Sequence, residues 1–197
     1  MTEDRAVDNV DTVVRRRNRG MLVALFVMFF GGMLLAGLLR FSGWRPEGSK
    51  NRGELLQPYG DLRKHTPGMA GGGHYAWTDS PRTWRIVTAP SGCDATRAAA
   101  CAQLLQGLDT VWRLAGKDAD RVHVLWAAAT PAGTTLPAHV RQLRMDDRLR
   151  AELVNPNGNT GDAAWLVDPN GFVVLRYPPG FDPGDLRTDL ARLLKIN

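Results

Sequence analysis

Nineteen consecutive uncharged residues, opening on Met21 and closing on Leu39 (MLVALFVMFFGGMLLAGLL), follow directly on Arg15, Arg16, Arg17 and Arg19. At about 1.5 Å of rise per residue a helix of this length covers roughly 28 Å, close to the ~30 Å hydrocarbon layer of a bilayer. The run is therefore expected to be a transmembrane helix over residues 21–39. The arginine cluster should hold residues 1–20 as a cytoplasmic tail, and Trp44 falls where an indole can rest at the far interface. Everything from about Ser42 onward is then exported. A cleaved signal peptide would have an apolar core of about 7–15 residues and a small-x-small site; this core is longer, and LLAGLLRFSG offers no clean site. Arg40, Arg45, Lys50 and Arg52 lie on the outer side, so the positive-inside asymmetry rests on clustering and not on totals.

Beyond the anchor roughly 150 residues remain, enough for one domain with a single core and a tether. The chain carries a formal charge of +5. From Arg40 onward twenty basic residues are scattered among sixteen acidic ones, with no basic stripe interleaved with aromatics, so nucleic acid is not an expected partner. Cys93 and Cys101 are the only two cysteines. In an oxidising compartment such a pair can close a disulfide, whereas in the cytosol metal binding or redox catalysis would come first.

Residues 40–82 are rich in Gly, Pro and polar side chains, with three glycines at 71–73, and read as a periplasmic tether or a loosely packed lead-in. From Thr83 the pattern sharpens into a domain over 83–197. Trp84, Ile86 and Val87 make a short strand that ends at the loop signal Ala89-Pro90-Ser91-Gly92, with Cys93 at the end of that loop. Residues 94–115 carry apolar side chains at helical spacing, among them Leu104, Leu105, Leu108, Val111 and Trp112. Gly116-Lys117-Asp118 closes that helix. A buried strand is expected over 121–129 and a second helix over 138–153. After a turn cluster at 155–159, two strands over 163–167 and 172–177 are joined by Asp168-Pro169-Asn170-Gly171, a hairpin signal. That acidic turn reads as a turn and not as a carboxylate site. Pro183 opens a last helix through Leu194. Trp84, Trp112, Trp126 and Trp165 are expected in the core.

Strand, helix, strand, helix, strand, strand, helix is the order of a thioredoxin-like α/β core, a mixed sheet with flanking helices. It places Cys93 just after the first core strand, near a helix N-terminus, where free amides and the helix dipole favour a thiolate.

Several segments together resemble the Sco/SenC family of membrane-anchored, thioredoxin-like cytochrome c oxidase assembly proteins, in particular a divergent proteobacterial branch. They are the anchor with SGWRPEGSKNRGELLQP (42–58), SGCDA (91–95), GKDADRV (116–122), WLVDPNGFVVLRYPPG (165–180) and DLARLLK (189–195). The resemblance implies an inner-membrane protein with its C-terminal domain in the periplasm, handling Cu(I) or maintaining thiols for the oxidase copper site, with an oxidase subunit or assembly factor as partner. Typical members hold Cu(I) with a C-x3-C pair and a distant histidine. Cys93 matches the first cysteine, but Arg97 stands where the second is implied, and Cys101 comes four residues later. The implied histidine position falls near Thr160, and no histidine follows His139. His65, His74, His123 and His139 offer no obvious replacement, although the tether around His65 and His74 stays open.

Two geometries are open for the cysteines. In one continuous helix, eight steps from 93 to 101 separate the Cα atoms by roughly 12 Å, beyond the ~7 Å limit of a disulfide. If the helix starts near Ala98, the loop can fold back and the sulfurs can meet. On the functional reading Cys93 and Cys101 form a redox pair or share Cu(I) as soft thiolate ligands; on the bland one Cys101 is only a packed core residue. Three functions follow: the copper-site accessory, a degenerate thioredoxin-fold binding module without metal or redox activity, and a general disulfide oxidoreductase. The third is least favoured, since there is no C-x2-C and no proline immediately before Ala163. At most, the chemistry expected is thiol/disulfide exchange.

Overall fold

A computed structural model describes residues 3–42, 50–78, 80–153 and 161–196. Trp44, the 155–159 turn cluster and Thr160 lie outside them. The chain divides into two compact units, residues 1–48 and 49–197.

The first unit is one helix, α1 (Glu3–Phe41), whose apolar part, Asn18–Phe41, spans 24 residues. That part is long and apolar enough to cross a membrane, and its large side chains, such as Phe29 and Met33, are exposed.

The second unit is a thioredoxin-like mixed sheet with helices on it. Its elements are β1 (Glu54–Asp61), β2 (Trp84–Thr88), α2 (Ala98–Leu114), a 3-10 turn (Gly116–Arg121), β3 (Val122–Trp126), β4 (Val140–Gln142), α3 (Asp147–Glu152), β5 (Ala164–Val167), β6 (Phe172–Tyr177) and α4 (Pro183–Ile196). The sheet order is β1-β6-β5-β2-β3-β4. β2, β3 and β4 run parallel, while β1, β6, β5 and β2 pair antiparallel. Every residue of β2 and of β5 is buried, as central strands covered on both faces require.

Alternation along the strands divides the core in two. Ile86, Val124 and Leu166 point to one face, where they meet Leu105 and Leu108 of α2 and Leu190 of α4. Val87, Leu125 and Trp165 point to the other, beneath Leu62, Tyr75 and Leu149. Cys101, Leu105, Leu108 and Val111 repeat at helical spacing and are the buried stripe of α2. Each buried leucine contributes about 1.5–3 kcal/mol relative to exposure. The helix stops at Gly116, whose φ of +59° suits glycine. α4 begins at Pro183, with Asp182 accepting from the Gly184 amide at 2.8 Å.

Three expectations are corrected. Part of the 40–82 stretch is no tether: β1 pairs with β6, and Leu56, Leu62, Tyr75 and Trp77 are buried. Proline and glycine weaken the strand signal of ELLQPYGD, yet both are tolerated on an edge strand whose ladder is interrupted between Leu55 and Gly60. The helix expected over 138–153 is instead β4, a turn and the short α3. Val140, Leu143, Leu149 and Leu153 do not fall on one face at about 100° per residue, and Val140 and Gln142 pair with Val124 and Trp126. Asp146 then caps α3 by accepting from the Leu149 amide at 2.8 Å. The helix expected over 94–115 starts only at Ala98. The 168–171 turn is as expected, with Asp168 Oδ1 accepting from the Phe172 amide at 2.8 Å and Gly171 at a φ of +97°.

Candidate redox site

The late start of α2 brings the cysteines together. Cys93 and Cys101 are joined by a disulfide, with their Cα atoms 5.8 Å apart. The second of the two geometries open to the sequence is thus the one adopted. Cys93 lies in the loop between β2 and α2, five residues ahead of Ala98, and the bond folds it back onto the first turn of the helix. Cys101 is fully buried and Cys93 is 5% exposed. Of the two residues, Cys93 is the less enclosed.

The loop is shaped by local polar contacts. Gly92 takes a φ of +69°, which a side chain would disfavour. Asp94 Oδ1 accepts from the Thr96 hydroxyl at 2.6 Å and the Thr96 amide at 3.0 Å, and these bonds, the hydroxyl's foremost, hold the Asp94 carboxyl below the usual range. The carbonyl of Gly92 lies 3.7 Å from Cys101 Sγ, where it can accept from the thiol once the bond is reduced. Arg97, the N-cap of α2, makes no capping bond with its side chain, and the first turn carries no acid. Asp94 Oδ1 also accepts from the Arg97 amide at 3.3 Å, so the polar groups that enter the helix are bonded from the cysteine loop itself.

Arg97 turns away from the helix instead. Its Nη1 donates to the carbonyl of Ser91 at 3.0 Å and to Ser91 Oγ at 3.1 Å, while Nη2 donates to Asp162 at 2.5 and 2.6 Å. The sequence carries no local signal for this ion pair, because Asp162 is 65 residues away. A groove of about 360 Å³ opens beside the loop, lined by Ala89 to Gly92, Ala127, Met145 and Arg150.

Residues 84–197 match the family described as transmembrane-like, thioredoxin-like, C-terminal domain. The chain belongs to that family. No curated protein matches it in sequence. Among solved structures, it is similar to yeast Sco1 with copper bound, at 15% identity over 76% of this chain and 96% of that one, with a TM-score of 0.49. Bradyrhizobium japonicum ScoI with copper bound is 18% identical over 64% and 95%, with a TM-score of 0.43. Xanthomonas campestris peroxiredoxin Q is 14% identical over 73% and 96%, with a TM-score of 0.44.

This thioredoxin-like domain does not gather a cysteine–histidine metal set among its described residues, where no three His, Cys, Asp or Glu side chains converge. His65 pairs with Asp146 at 2.9 Å. His139 stacks on Trp112 with ring centroids 3.8 Å apart and lies 3.4 Å from Asp109. His123 bonds through Nδ1 to the Tyr75 hydroxyl at 2.7 Å. Burial, aided by Arg141 and Arg85, holds His123 down to about 4, so it stays neutral and Tyr75 donates to it. His74 is exposed. At the position where a second copper cysteine was implied, the domain has Arg97, and its partner Asp162 lies two residues beyond the implied histidine position at Thr160.

Proposed function

We propose that the chain is a single-pass accessory of cytochrome c oxidase biogenesis in a bacterial inner membrane, with its N-terminus cytoplasmic and its thioredoxin-like domain in the periplasm. There it keeps the thiols of the oxidase copper site reduced. The observation that carries this reading is the closure of Cys93, in the loop that follows β2, onto Cys101 of α2. A pair that can bond reversibly transfers two electrons and needs no metal to do so.

In the reduced form the Cys93 thiolate attacks one sulfur of a partner disulfide, and the partner's other sulfur leaves as a thiolate. Cys101 then attacks Cys93 Sγ, the second partner thiolate is released, and the intramolecular disulfide returns. Each partner thiolate takes up a proton. An exported dithiol reductant must reopen the pair for the next cycle. The greater enclosure of Cys101 suits it to the resolving role and leaves first attack to Cys93. Cu(I) as cargo fits only as a two-coordinate ion between the two reduced thiolates, since the described residues supply no third donor. The Arg97–Asp162 ion pair weighs against a three-ligand copper site and toward thiol chemistry.

The same ion pair favours a second reading, a binding module that docks on an assembly partner without redox work. Replacing both cysteines with serine in the cell, under copper limitation, separates the two. Thiol maintenance expects lower copper content and activity of the oxidase. Unchanged content, together with less assembled oxidase on deletion of the whole domain, sinks it and supports the binding module. Inertness toward an unrelated disulfide substrate such as insulin counts against a general oxidoreductase.

A further inference from the structure

Arg97 joins the cysteine loop to the segment ahead of β5, and its two terminal nitrogens divide the work. One serves the Ser91 carbonyl and hydroxyl, two residues before Cys93; the other serves both oxygens of Asp162. The guanidinium is partly enclosed, at 36% side-chain exposure, and Asp162 at 25%. Its charge is matched by a carboxylate, so it acts less as a free cation than as a planar bracket between two parts of the chain. The loop it holds has glycine at 92 and lies outside the sheet ladders, so its own backbone freedom would otherwise carry Cys93 away from Cys101.

We propose that Arg97 is the positioning residue of the redox pair: by tying Ser91 to Asp162 it holds Cys93 in reach of Cys101 in the reduced form and so favours disulfide closure. Closing the bond from the dithiol depends on the effective concentration of one sulfur at the other, and a tethered loop raises that concentration. The inference rests on the reading that the pair cycles between dithiol and disulfide, and it names the device that sets the balance.

The test is the equilibrium of the full chain in detergent micelles with glutathione, in which the disulfide and two glutathione thiols give the dithiol and one glutathione disulfide. The oxidised fraction is read by thiol trapping and mass, with far-ultraviolet circular dichroism as the check of folding. Arg97→Ala is expected to lower the effective concentration three- to tenfold, a rise in reduction potential of about 15–30 mV. Arg97→Lys should shift in the same direction, because one ammonium cannot bracket Ser91 and Asp162 in the way two guanidinium nitrogens do. Lys also serves if the alanine variant does not fold. An unchanged potential overturns the proposal. So does a lowered potential in Arg97→Ala with Lys at the wild-type value, which would mean that positive charge on the thiolates is what matters. Neither oxidase nor copper is present, so failure here and failure of the oxidase reading are separate results.

Discussion

Asp189 of α4 accepts, through one carboxylate oxygen, from the backbone amide of Gly53 at 2.9 Å, and this bond fastens the start of the thioredoxin-like unit to its last helix. The same oxygen accepts from the Arg52 amide at 2.8 Å and the Tyr177 hydroxyl at 2.9 Å. Burial, reinforced by the Asp189 charge, pushes Tyr177 far above the usual phenol range, so it remains a donor. Gly53 has no Cβ because one would sit 2.7 Å from the Tyr177 ring. Asp189→Ala strands these buried donors and is expected to cost about 2–4 kcal/mol. Asp189→Asn, which keeps an acceptor oxygen, should cost less. Urea midpoints equal to wild type in both variants would mean that the contact contributes nothing.

Gly60 in β1 lies so close to the Glu152 carbonyl at the end of α3 that an added Cβ would overlap it. Both contacting partners are constrained, since Asp61 also donates its amide to Glu152 Oε2 at 2.8 Å. Gly60→Ala must displace the edge strand or the helix, and a loss of at least about 2 kcal/mol is expected. Hydrogen exchange is the sharper readout: protection should fall in β1 and α3 before it falls in β2, and uniform protection would contradict the close approach.

Reducing the disulfide opens a loop of sequence separation 8. In the chain-entropy account this lowers stability by about 2–3 kcal/mol. Under limiting alkylation of the reduced protein, Cys93 should be modified ahead of Cys101, following their enclosure. Preferential labelling of Cys101 in a mass-spectrometric digest would reverse the assigned order of attack and resolution.

His123 titrates near 4 in the folded domain against an ordinary 6.5. Between those values the unfolded chain binds a proton that the folded one refuses. The contribution from this site is therefore fully present above pH ~6.5 and is lost as pH falls toward ~4. In His123→Gln that part of the acid sensitivity should disappear. If denaturation midpoints of variant and wild type run parallel between those pH values, the histidine is not buried as a neutral base.

Much of the domain can be read from local pattern, because one face of each long element is apolar at its own period. Leu105, Leu108 and Val111 announce α2, and Leu186, Leu190 and Leu194 announce α4. The hairpin of β5 and β6 follows from its turn chemistry at 168–171. The edges are less legible. β1 has proline and glycine inside it and is stabilised by β6, more than a hundred residues away. β4 and α3 are short elements, three and six residues long, and the pairing of Val140 with Val124 sets the strand apart from the helix.

At the candidate site the sequence by itself determined the two cysteines, their place after the first core strand, the arginine where a ligand was implied and the apolar run that can cross a membrane. Tertiary structure decided whether those cysteines meet. Eight residues can span a helix or fold into a loop, and the choice was made by starting α2 at Ala98 and by holding Ser91 through Arg97 to Asp162. It also decided that Asp189 would bind the lead-in segment. Contacts of this kind join residues distant in the chain, so their energy depends on a geometry that exists only once the sheet has formed, and no local spacing encodes them.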